Sequence, residues 1–122
     1  VLGWPITIFG TGKQVRDIIY ATDVCEAFDA FYKTRASGIY NIGGGPKTAI
    51  SLLQCINILE KLNGAPPEVD FGKDRFGDLR YFISDTKKAR DGLGWDAKIK
   101  PQDGIPMLVD WIRENRETLF KE

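Results

Sequence analysis

Two hydrophobic periods divide the chain into short strands and amphipathic helices. Ile6-Thr7-Ile8-Phe9 is a β-branched and aromatic run closed by Gly10-Thr11-Gly12, and a second extended run follows at 15–20 with Ile18 and Ile19. These predict two strands across a glycine turn. Asp23 followed by Glu26 has the spacing of a capping box, and Val24, Ala27, Phe28 and Phe31 recur at i, i+3, i+4, i+7. A helix with one buried face is predicted, ending near Ala36-Ser37-Gly38. Ile39-Tyr40-Asn41-Ile42 predicts a strand running into Gly43-Gly44-Gly45-Pro46. Ser51 with Gln54 caps the next helix, whose stripe is Leu52, Cys55, Ile56, Leu59 and Leu62 and whose stop is Asn63-Gly64. A strand at 69–71, a polar loop at 72–79 and an extended Tyr81-Phe82-Ile83 follow. Asp85 or Thr86 caps a short helix that Gly92-Leu93-Gly94-Trp95 ends. The last helix carries Ile105, Leu108, Val109 and Ile112 on one face, with Pro106 tolerated if it falls in the first turn. The pattern is mixed α/β, without repeats, linkers or low-complexity tracts.

Composition narrows the picture. With 122 residues, 43% of them hydrophobic, the chain suits a single domain over 1–122 with one modest core. Seventeen Lys+Arg balance seventeen Asp+Glu, so bulk charge points to neither nucleic acid nor a membrane surface. Any anion site must be local. Cys25 and Cys55 lie within apolar helical patterns and are expected as buried, unpaired thiols of a cytoplasmic protein. No apolar run reaches 18 residues, so no membrane span is expected. Val1-Leu2-Gly3-Trp4-Pro5-Ile6 opens on an apolar stretch, as expected of an entry from within a longer polypeptide.

Glycine-rich segments are the first place to look for phosphate chemistry, because backbone N–H groups can cradle an anion there. Gly10-Thr11-Gly12-Lys13-Gln14-Val15 has two glycines of a dinucleotide fingerprint but Val15 in place of the third, and it joins strand to strand. Gly45-Pro46-Lys47-Thr48 lacks the glycine that a P-loop places before its lysine, and it reads as a turn. With no histidine and no ligand spacing among the acids, no metal site is expected. Arginine remains. Arg16 and Arg75, from separate segments, could each make paired hydrogen bonds to a diphosphate. Asp78, three residues after Arg75 with Gly77 between, could accept hydrogen bonds from a ribose diol. On spacing alone, surface ion pairs worth about 0–1 kcal/mol are the simpler account of these residues.

A series of short segments bears on that choice. Pro5-Ile6-Thr7-Ile8-Phe9-Gly10 and Gly12-Lys13-Gln14-Val15-Arg16-Asp17 come first, then Asp23 opening a helix. Tyr40-Asn41-Ile42-Gly43-Gly44, Ser51-Leu52-Leu53, Arg75-Phe76-Gly77-Asp78, Ser84-Asp85-Thr86-Lys87-Lys88-Ala89 and Leu93-Gly94-Trp95 follow in order. Over nearly the whole chain this series resembles the C-terminal, substrate-binding part of the NAD-dependent nucleotide-sugar epimerases and dehydratases, extended members of the short-chain dehydrogenase/reductase family. The Lys-Gln-Val-Arg-Asp segment and the run at 77–85 are most similar to the CDP-paratose (CDP-tyvelose) 2-epimerase branch. The resemblance implies a small substrate domain of short strands and about four helices, without the dinucleotide-binding sheet.

It also implies roles. Arg16 and Arg75 would bind the diphosphate of a sugar nucleotide and Asp78 its ribose, while the strand holding Ile8 and Phe9 would line the base and Asn41 would lie near the phosphates or ribose. Phe9 is equally readable as a core aromatic, and Asn41 as a residue satisfying a turn backbone. Thr48-Ala49 and Tyr20 stand where family members often have Asn-Ser and His, which touches only local loop contacts. The catalytic Tyr-x-x-x-Lys pair is missing: none of Tyr20, Tyr32, Tyr40 or Tyr81 has Lys four residues later. The expectation is therefore a non-catalytic domain whose partners are a nucleotide-diphosphate sugar and an N-terminal dinucleotide-binding domain that carries NAD in the intact enzyme. A UDP-sugar epimerase, a dTDP-sugar dehydratase and a stand-alone binding module are the alternatives. Apolar side chains facing the missing half would be exposed and support weak self-association.

Overall fold

The computed structural model describes residues 3–120; Val1 and Leu2 of the opening apolar stretch lie outside the described residues. Among the described residues five short strands and five α-helices occur, β1(Ile6–Phe9), β2(Val15–Asp17), α1(Ala21–Thr34), β3(Ala49–Ser51), α2(Leu52–Asn63), β4(Val69–Gly72), β5(Tyr81–Phe82), α3(Lys87–Leu93), α4(Pro101–Glu114) and α5(Arg116–Leu119), with a 3-10 turn at Pro46–Thr48. The strands form two small sheets. In one, β1 pairs in parallel with β4, from Ile6 opposite Val69 to Phe9 opposite Gly72. In the other, β2 is central, antiparallel to β3 and parallel to β5. The mixed α/β class with short strands is thus as expected, and no dinucleotide-binding sheet occurs among the described residues.

The two strands predicted across the glycine turn both form, but they enter different sheets instead of pairing with each other. Helix α2 has the ends expected of it, although Leu52 of its stripe is exposed. Ser51 and Gln54 make a reciprocal capping box, and Gly64 closes the helix in a left-handed conformation.

Helix α1 departs from its pattern. It starts at Ala21, with Tyr20 preceding it, so Asp23 stands inside the first turn and caps nothing. The side chain turns inward instead. Asp23 is only 1% exposed, and its Oδ2 accepts from the amides of Lys98 at 3.2 Å and Ile99 at 3.0 Å, while the indole of Trp95 donates to its backbone oxygen at 2.9 Å. A buried carboxylate held in this way fixes the rotation of the helix. Ala27 therefore faces the core formed with Ala89, Leu93, Trp95 and Ala97, and Ile19, Ala30, Ala36 and Tyr40 pack around it. Phe28 and Tyr32 turn outward; with Phe28 72% and Ile39 87% exposed, they leave an apolar face at α1. The same rotation exposes Cys25, and Cys55 on α2 is only half-buried, so neither cysteine is the buried thiol expected; both are free.

Segment 39–42 is not a strand. No neighbour offers it a ladder. Side chains anchor it instead, with Tyr40 edge-on to Phe31 and Asn41 donating to the Asp85 carbonyl at 3.3 Å. Pro106 also falls outside the position expected of it. Pro101 opens α4, so Pro106 lies in the helix interior, where it withholds the N–H that would reach the carbonyl of Gln102.

Asp17 knots the second sheet to the loops around it. Its Oδ2 accepts from the amides of Gly45 at 2.9 Å and Ser84 at 3.0 Å. Partial burial by itself would raise its pKa, but the donors from Ser84, Gly45 and its own amide hold it below the ordinary carboxylate value of 3.8. The loop before the 3-10 turn must approach closely to donate. A Cβ at Gly44 would stand 2.3 Å from the Ile18 carbonyl oxygen, so glycine is required there for packing.

Two outcomes are expected in urea unfolding. Asp23→Ala, which leaves two amides and a cavity without their acceptor, is expected to lower stability by about 3 kcal/mol. Asp17 has a folded pKa below its unfolded one, so its contribution is complete at neutral pH and is lost as pH falls through about 4 and below. Wild type should lose more stability than Asp17→Asn between pH 7 and pH 3; equal losses would show that the Asp17 carboxylate is not responsible.

Candidate functional site

The two sheets share a pair of connections. Loop 10–14 leads from β1 to β2, and loop 73–80 leads from β4 to β5; since β1 pairs with β4 and β2 with β5, the two loops run side by side between the sheets. The gap between them is where the predicted clamp lies. The amide of Val15 donates to the Arg80 carbonyl at 3.0 Å and closes the gap at its far end.

Loop 73–80 gains its shape from a turn. The Asp78 amide donates to the Arg75 carbonyl at 3.2 Å, and Gly77 at the third position has φ +78°, as a type II turn requires. The turn sets Arg75 and Asp78 on the same side of the gap. The Arg75 guanidinium lies over the Phe9 ring, 3.8 Å from its centroid. Asp78 Oδ1 pairs with Arg16 Nη2 at 2.8 Å, the two side chains 36% and 35% exposed. Arg16 Nη1 also donates to the carbonyl of Val15 at 2.8 Å. The sequence pattern did not single out Gln14, whose Nε2 donates to the Phe9 carbonyl at 2.5 Å and reaches Asp78 Oδ2 at 3.4 Å. Its Oε1 is buried with no partner. A long polar side chain in the short connection between two strands was the available signal.

Two clefts meet at these residues. One, of about 390 Å³, is lined by the β1 edge and by Leu52, Cys55, Ile56 and Leu59 of α2, with Gln14, Arg75 and Asp78 at its mouth. It is largely apolar. The other, of about 420 Å³, is lined by Thr11, Lys13, Gln14, Asp74, Arg75, Asp78 and Arg80. It is charged, with three cations against two carboxylates. An apolar slot opening beside a cationic one suits a flat, weakly polar ring joined to an anion. A further cleft of about 380 Å³ near Trp4 and Glu68 has no cation in its lining.

Of the residues singled out in the sequence, Phe9, Arg75 and Asp78 line the clefts, while Arg16 lines neither and reaches them through its pair with Asp78. Ile8 lines the apolar cleft from a buried position, 4% exposed. Asn41 lines neither cleft and satisfies the Asp85 backbone. Neither glycine segment offers a dinucleotide cradle: loop 10–14 joins two strands, and the Gly45 amide is taken by Asp17. The residues present do not fit NAD. No grouping of three His, Cys, Asp or Glu side chains able to hold a metal occurs among the described residues, and no described helix is long and apolar enough to cross a membrane.

Comparison with known proteins finds similarity along nearly the whole chain. Residues 1–43 match the family described as NAD dependent epimerase/dehydratase. The chain is 36% identical over 115 residues to UDP-glucuronate 4-epimerase of Thermodesulfobacterium geofontis, an alignment spanning 94% of this chain and 35% of that enzyme. It is 33% identical over 111 residues to CDP-paratose 2-epimerase of Salmonella typhi, spanning 88% of this chain and 32% of that enzyme. Among solved structures, MoeE5 in complex with UDP-glucuronic acid and NAD matches with a TM-score of 0.85 at 30% identity, over 93% of this chain and 38% of that one. The chain thus spans about a third of the length of these relatives, in their C-terminal part.

The turn at Gly77 supplies a test. Gly77→Ala is expected to strain the left-handed position by about 1–2 kcal/mol and to detach Asp78 from Arg16, whereas Gly77→Asn, which tolerates that conformation better, should retain most of the stability. Equal melting of the two variants would show that the turn is not held as described.

Proposed function

We propose that this chain is the substrate-holding part of an NAD-dependent nucleotide-sugar epimerase or dehydratase, and that it grips the nucleoside diphosphate while the chemistry takes place elsewhere. The observation that carries the reading is that Arg75 and Asp78 line both an apolar cleft and a cationic one, with Arg16 paired to Asp78 behind them. The base would enter the apolar cleft along β1, beside Phe9 and above Ile8. The diphosphate would lie across the cationic cleft and take paired hydrogen bonds from Arg75 and Arg16. The ribose diol, between them, would donate to Asp78.

Arg75 is already oriented for this task. Its stacking on Phe9 confines a long side chain before ligand arrives, which lowers the entropy lost on binding. The interactions hold the nucleotide and leave the sugar projecting, so binding energy gained far from the reacting carbon positions that carbon. NAD, which would supply transient oxidation of a sugar carbon, has no fitting residues here and belongs in this reading to an N-terminal domain. The exposed apolar face at α1, with Phe28 and Ile39, is a surface for such a domain or for a second copy to cover. A cytoplasmic setting belongs to the same reading.

The bases are not distinguished by similarity, since the 33% identity to the CDP-sugar enzyme does not exceed the 36% to the UDP-sugar one. The CDP assignment rests on the Lys13-Gln14-Val15-Arg16-Asp17 and 77–85 segments. Calorimetric titration with CDP, UDP and dTDP tests both levels. At least one should bind, with CDP the tightest on this assignment, and Arg75→Ala should weaken binding at least tenfold by removing two charge-assisted hydrogen bonds. Preference for UDP or dTDP would reassign the base, and absence of binding by all three would overturn the reading.

A further inference from the structure

The two arginines of the junction are not in the same state. Among the described residues Arg75 has no carboxylate within ion-pair distance and stacks on Phe9, so its donors are available to an anion. Arg16 is occupied. Its Nη1 is held by the Val15 carbonyl and its Nη2 by Asp78 Oδ1, both at 2.8 Å. An incoming phosphate must take Arg16 from Asp78 and then lie beside the carboxylate it has displaced.

We propose that Asp78 is the site's own counter-anion, and that by competing for Arg16 it makes the site select nucleoside diphosphates against free pyrophosphate. This rests on the functional reading above and deepens it. Pyrophosphate carries the charge that Arg16 and Arg75 attract, but it has no vicinal diol to offer both oxygens of a carboxylate, so Asp78 opposes it by repulsion as well as by competition. A nucleoside diphosphate brings a remedy with it. Its two ribose hydroxyls can each donate to a carboxylate oxygen at the moment Arg16 turns to phosphate. Gln14, within 3.4 Å of Oδ2, keeps the second oxygen at the junction while Oδ1 exchanges partners. The exchange is feasible because the pair is about one-third exposed on each side, where an ion pair is weak and water can assist its opening. A buried pair would hold Arg16 against any ligand.

The discriminating experiment is calorimetry on the whole chain with inorganic pyrophosphate and with CDP, UDP and dTDP, comparing wild type with Asp78→Asn. Removing the charge should tighten pyrophosphate binding about three- to tenfold. It should not tighten CDP or UDP by as much, so the preference for a ribonucleotide over pyrophosphate should shrink. dTDP, with a single sugar hydroxyl, should gain more than CDP or UDP. Unchanged or weaker pyrophosphate binding by a folded Asp78→Asn chain would overturn the inference. If nucleotide binding and its dependence on Arg75 then persist, the functional reading survives alone; if no probe binds either chain, both fall. Asp78→Ser provides the same test should Asp78→Asn unfold, and unfolding of both would assign Asp78 to scaffolding and overturn the inference as well.

Discussion

Asp17 determines where Arg16 can point. Strand β2 has three residues, and side chains on a strand alternate in direction, so adjacent residues cannot face the same way. Asp17 is drawn inward by the amides of Gly45 and Ser84, from the loop before the 3-10 turn and the segment after β5. Arg16 is thereby directed the other way, toward the junction of the clefts. A strand this short has too few ladder bonds to set its own rotation. The carboxylate does that work, and its lowered pKa reports how strongly the surrounding donors favour the charged form.

The second determinant is topological. Parallel pairing of β1 with β4 and of β2 with β5 brings loops 10–14 and 73–80 together at both ends, although more than fifty residues separate them in sequence. Each loop contributes polar or charged side chains to the second cleft. Loop 10–14 brings Lys13 and Gln14, while loop 73–80 brings Arg75, Asp78 and Arg80. The Gln14 amide, bonded to the Phe9 carbonyl and reaching Asp78, joins the halves. The apolar cleft lies against the β1 edge because, among the described residues, that strand has no partner on its other side, and α2 lines the cleft opposite.

Local chemistry was legible in the sequence wherever it was self-contained. The Ser51 and Gln54 box, the stop at Gly64 and the strands at 6–9 and 69–72 depend on residues within a few positions of one another. The Arg75 to Asp78 turn is of the same kind, since Gly77 announces its conformation, and so Arg75 and Asp78 were visible as a unit. What stayed hidden depends on distant partners. Asp23 has the sequence context of a cap, and only amides 75 and 76 positions later reveal it as a buried acceptor. The strand expected at 39–42 has the right residues and no neighbour to pair with. Pro106 reads as a first-turn proline until Pro101 is seen to start the helix. The pairing of Arg16 with Asp78 and the stacking of Arg75 on Phe9 were likewise beyond any local pattern, because they follow from which strands pair.

Residues 16 and 17 also show how one short strand can serve two ends with opposite charges. The carboxylate of Asp17 meets fixed backbone donors in a partly desolvated setting, where a hydrogen bond to a charge is strong and its loss leaves amides unsatisfied. The guanidinium of Arg16 meets a partly exposed carboxylate at the edge of water, where the interaction is weak and reversible. Exchanging those settings would defeat both roles. A scaffold bond in water would not fix β2, and a cation locked in a dry pair would not release its partner. The division follows from the alternation of the strand itself, which places one of the two neighbours inside and the other at the clefts.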